Sequence, residues 1–84
     1  MTPDEALQIF ADTKRAYQLA FKTPAGEAVL IDLAPFCRAR ETCVVPGDSD
    51  KTYVLEGRRE TYLRIQDYLE LTPEQLRDKY TRPA

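Results

Sequence analysis

The chain has 84 residues, 43% hydrophobic and 31% charged, with 12 basic residues against 14 acidic and a net charge of −2. That leaves room for one small globular domain (1–84) with a thin core, and the composition is not that of a disordered chain. The near-neutral balance argues against a nonspecific nucleic-acid or membrane-surface binder, and no apolar run approaches the ~20 residues of a membrane span.

The first predicted element opens at Thr2-Pro3. Threonine is a good helix N-cap, and proline suits the first helical position because its missing N–H had no partner there anyway. Glu5, three residues after Thr2, completes the signature of a capping box. The spacing predicts a helix from Pro3 to Phe21. One broad face carries Ala6, Ile9, Phe10, Thr13, Ala16, Tyr17, Ala20 and Phe21, and should meet the core. The acidic opening, MTPDEALQIF, lacks the basic residues of a secretory leader, so the chain is not expected to be secreted.

Thr23-Pro24 predicts a second start. This helix should run to about Ala34–Arg38, with Ala25, Val29, Leu33, Phe36 and Cys37 along one side and Leu30 beside them. Pro35 should kink it or end it near Ala34. A long connection follows, Ala39 to Lys51, with a turn at Pro46-Gly47. Val44 and Val45 are expected to pin it over the core, and Asp48-Ser49-Asp50 to cap the next helix. Cys37 and Cys43, in a chain without histidine, are too few for a self-contained zinc site, so no metal is expected and both are read as free thiols.

The third helix should span Thr52 to Leu69 or Glu70. Leu55, Tyr62, Ile65 and Leu69 cluster on its wheel, Val54 and Leu63 flank them, and Glu60 and Arg64 are spaced to pair. Arg58 and Arg59 fall within the apolar half. There they can lay their stems on the core edge, pair with an acid such as Asp32, or reach a partner protein. Gly57, inside this helix, costs about 1 kcal/mol against alanine, which suggests a close crossing by another helix or the loop. Thr72-Pro73, with Gln75 completing a second capping box, starts a short fourth helix to about Tyr80. Residues 81–84 read as a flexible tail. The expected fold is all-α: three main helices and a short C-terminal helix, with a long loop between helices two and three.

No catalytic pattern emerges. There is no histidine, no glycine-rich phosphate loop and no serine nucleophile motif, so neither an enzyme nor a cofactor is expected. Tyr53, Tyr62, Tyr68 and Cys37 read as core. Arg38, Arg40, Arg58 and Arg59 could approach one another, but Glu41, Asp48, Asp50 and Glu56 lie close in sequence and weaken a phosphate footprint. A thin-cored helical domain gains most by docking on a protein or by oligomerising.

The stretch FKTPAGEAVLIDLAPFC (21–37), the loop with Val45-Pro46-Gly47-Asp48, and EGRRETYLRI (56–65) together resemble a small domain family of tailed bacteriophages, typified by a Bordetella podophage protein. The resemblance covers about residues 17–70. It implies a small phage accessory protein and carries no catalytic signature or binding residues. From that setting the expected role is non-enzymatic, through protein contacts in virion assembly or the head and portal module. The alternatives are modulation of a host protein and weak DNA binding. The expected place is the virion or the host cytoplasm. The candidate contact or ion-pair residues are Arg58, Arg59, Asp32, Arg38 and Arg40, with Gly57 as the close-packing position.

Overall fold

The computed structural model describes residues 1–81. It is all-α, with no strand among those residues: α1 (Pro3–Phe21), α2 (Pro24–Phe36), α3 (Ser49–Glu70) and α4 (Pro73–Tyr80). Beyond Thr81, the expected tail lies outside the described residues.

Each Thr-Pro pair starts a helix. The Thr2, Thr23 and Thr72 hydroxyls accept from the N–H groups of Glu5, Gly26 and Gln75. Only Thr72 closes a full capping box, with Gln75 Oε1 accepting its backbone N–H at 3.0 Å. At Thr2 the return bond from Glu5 is not made, and both residues are exposed.

Pro35 lies inside α2 and does not end it at Ala34; the helix reaches Phe36. Its end is locked two residues later, where the N–H of Arg38 donates to Pro35 O and that of Ala39 to Ala34 O. This Schellman closure needs a left-handed residue, and Arg38 supplies it at φ 49° in place of the usual glycine. α3 begins three residues earlier than Thr52 because Asp48 caps it, its carboxylate accepting from Lys51 N–H at 2.9 Å.

α3 is the spine, about 33 Å long at 1.5 Å per residue. α1 runs antiparallel along its C-terminal half, with Lys14 at Tyr68 and Ala20 at Thr61. α2 follows along its N-terminal half, with Leu30 near Tyr62 and Phe36 under Arg58. α1 touches all three other helices, whereas α2 and α3 meet only slightly. The core is correspondingly split. Cys37, Cys43, Leu55 and Tyr62 are buried toward one end, and Tyr68 and Leu76 toward the other.

The loop anchor is Cys43, 1% exposed, rather than the valines; Val44 is 62% exposed and Val45 half-buried. Tyr53, expected in the core, is also exposed. No residue of α1 is buried. Its half-buried stripe runs through Leu7, Phe10, Lys14, Tyr17 and Phe21, leaving Ile9, Ala16 and Ala20 of the predicted core face exposed.

The result is a plate of 46 × 36 × 14 Å. Its radius of gyration is 15.1 Å, against about 12 Å for a compact domain of this length.

Candidate functional site

Gly57 is not a packing notch. A Cβ built there meets nothing within 4 Å, and the residue is exposed. The close approach falls on Gly26 instead. It is buried in the first turn of α2, where a Cβ would strike the carbonyl oxygen of Ala20 and come within 2.5 Å of Phe21 Cα. The Thr-Pro-Ala-Gly turn therefore folds α2 back against the end of α1. The glycine was visible in the sequence, but the backbone it meets was not.

The two arginines of α3 part company. Arg58 is exposed and lays its guanidinium over the Phe36 ring, 4.4 Å from the centroid, while Phe36 remains 57% exposed. Arg59 is half-buried, and its Nε–H is buried with no acceptor among the described residues. Asp32, the acid expected to pair with them, is exposed and bonds to neither. It lies one turn before Phe36 on α2, and Arg58 takes the aromatic face instead.

The remaining arginines do not form one surface with these. Arg38 is half-buried and donates from Nη1 to Thr42 O at 3.2 Å. Arg40 is exposed beside Glu41, on a groove shared with Leu30, Ile31 and Tyr62. Arg38 and Arg59 both act on Cys43. Burial, and then the hydrogen bond and charge of Glu56, push this thiol's pKa up, while the two arginines pull it back in part. Cys43 is the most buried residue of the loop and packs against this end of the core. Both cysteines are free.

A second cluster, drawn from residues far apart in the chain, joins α1, α3 and α4. Tyr17 stacks on Tyr68 with centroids 4.6 Å apart, and Tyr68 on Tyr80 at 5.9 Å. Arg64 does not pair with Glu60; its guanidinium lies 4.5 Å from the Tyr80 centroid and 5.2 Å from that of Tyr68. Asp67 accepts from Lys79 Nζ and from the Tyr80 hydroxyl, each at 2.6 Å. Burial, followed by the bond to Asp67 and its charge, pushes the Tyr80 pKa up to about 12. Lys14 Nζ donates to the carbonyls of Tyr68 and Leu69, at 3.1 and 3.3 Å. Those groups have no helical partner at the end of α3, so the lysine serves as a cap donated by another helix. The geometry of these groups is that of a clasp between the three helices.

What lies open is an apolar face. A groove of about 400 Å³ runs between α1 and α3, lined by Ala16, Ala20, Thr61 and Ile65 together with Tyr17 and Arg64 of the tyrosine cluster. Along α3, Arg58, with its guanidinium on Phe36 of α2, lies one turn before Thr61. An arginine laid on a half-exposed aromatic ring leaves a residue type enriched at protein contacts open to solvent.

Residues 17–79 match the model of a family described as Bbp19-like phage protein. No curated protein and no solved structure matches the chain.

Proposed function

Because the chain belongs to the Bbp19-like phage protein family, we propose that it is a non-enzymatic accessory protein acting through protein contacts during virion assembly, in the head or portal module. The observation that carries this reading is the exposed Arg58–Phe36 pair, one turn along α3 from Thr61 of the α1/α3 groove. Arginine and large aromatic side chains dominate the energetics of protein contacts, and here both are presented rather than consumed in the core.

Mass spectrometry of purified virions, with pull-downs against the portal and capsid proteins, tests it. The chain is expected in the particle or bound to one of those proteins. Arg58→Ala, which removes an exposed side chain, should leave helical content intact and weaken that binding about 30-fold, the effect of a 2 kcal/mol hot spot. Absence from both virion and pull-down would remove the reading. Capture of one host protein, lost with the same variant, would replace it with the host-modulation alternative.

A further inference from the structure

We infer that the occupant of this face is a second copy of the chain, in a two-fold dimer that sets Arg58 of each protomer against Asp32 of the other. The inference takes its choice of face from the contact reading above and adds the identity of the partner.

Three observations carry it. The first is area. The chain exposes 6150 Å², whereas a compact monomer of its mass exposes about 5,100 Å². The difference, about 1,000 Å², is close to the ~800 Å² that each partner buries in a stable interface. A flat chain therefore has extra surface on the scale of one standard interface.

The second is an open groove. Ala16 and Ala20 belong to the sequence's own apolar stripe on α1, yet both are exposed and, with Ile65, floor the open groove. Small residues there let another helix approach closely.

The third is charge. Asp32 and Arg58 flank Phe36 from α2 and α3, both are exposed, and they do not pair within the chain. A patch carrying one charge of each sign beside a shared apolar anchor is self-complementary. A two-fold axis turns that into two reciprocal pairs. A partner of one predominant charge would be met by a patch of the opposite sign, and this patch has both. The net charge of −2 opposes association of two copies only weakly.

Sedimentation equilibrium of the full chain is expected to give about twice the 9.6 kDa chain mass. Asp32→Arg and Arg58→Asp should each weaken the dimer at least tenfold, while the double exchange restores it. Ala20→Arg should also give monomer, by placing a second guanidinium beside Arg64 in the groove. Unchanged circular dichroism verifies that each variant folds. A wild-type chain that stays monomeric at high micromolar concentration overturns the proposal, as does a dimer indifferent to all these changes. Pull-downs with portal and capsid proteins, run on the same variants, keep the two readings apart. A monomeric wild type that still binds a phage protein through Arg58 removes the second copy and leaves the contact reading. A wild-type chain that dimerises through these residues and retains no phage protein supports the second copy and removes that reading.

Discussion

Two glycines with similar sequence credentials do opposite things. Gly26 sits where any side chain would run into the backbone of Ala20 and Phe21. Gly26→Ala should therefore cost on the order of 3 kcal/mol, because backbone rather than a flexible side chain must move. Gly57 faces open space in the middle of a helix. Gly57→Ala should stabilise by about 1 kcal/mol and raise Tm by roughly 4–8 °C, read by thermal denaturation of both variants side by side. Tyr80 gives a pH prediction at the same scale. Its folded pKa is raised from 10.0 to about 12, so the folded state holds the phenol proton more tightly than the unfolded chain. The associated stability is complete below pH 10, and is lost as pH rises toward about 12. Tyr80→Phe should remove this alkaline loss, and with it a phenolate absorbance step near pH 12.

The helices are individually well specified, yet what joins them is carried by side chains that look peripheral in sequence. Lys14 lies in the seam of α1 and closes the open carbonyl end of α3. A cation at a helix C-terminus also meets the negative end of the helix dipole. Lys14→Ala leaves two carbonyls without that donor, and should cost about 1–2 kcal/mol by urea denaturation. The last turn of α3 should then be the first segment to lose hydrogen-exchange protection. Burial, and to a lesser degree the charge of Lys22, lower the Lys14 pKa. The lysine is therefore held for its hydrogen bonds at some cost in solvation. Asp67 works in the same way for α4, which is only eight residues long and too short to hold its shape alone.

At the scale of the molecule, a split core and a flat outline mean that folding leaves apolar surface uncovered. Stability then depends on what covers it. For a dimer, mass action makes Tm concentration-dependent, and a tenfold increase in protein should raise it by about 3–6 °C. An invariant Tm would mean that the monomer stands alone. The same geometry explains why the basic residues divide. Arg38 and Arg59 are drawn in around Cys43, and Arg58 is left on the rim with Phe36. A cluster of arginines in sequence is thereby spread over different surroundings, rather than gathered into one anion-binding surface.

The sequence by itself determined the helices. Thr-Pro starts, an aspartate cap and 3.6-residue periodicity act within a few residues of one another, so α1, α2 and α4 begin where the chain signals them. Membership of a phage family was legible for a related reason, since its marks lie in contiguous stretches. Only the tertiary structure decided which part of each apolar face is covered. It put the close approach at Gly26 rather than Gly57, gave Arg58 to Phe36 rather than to Asp32, and drew Tyr17, Tyr68 and Tyr80 into one stack. A helical wheel fixes the direction of a side chain about its own axis. It carries no information about how far along, or at what angle, the next helix crosses, and every contact at the candidate face depends on that crossing.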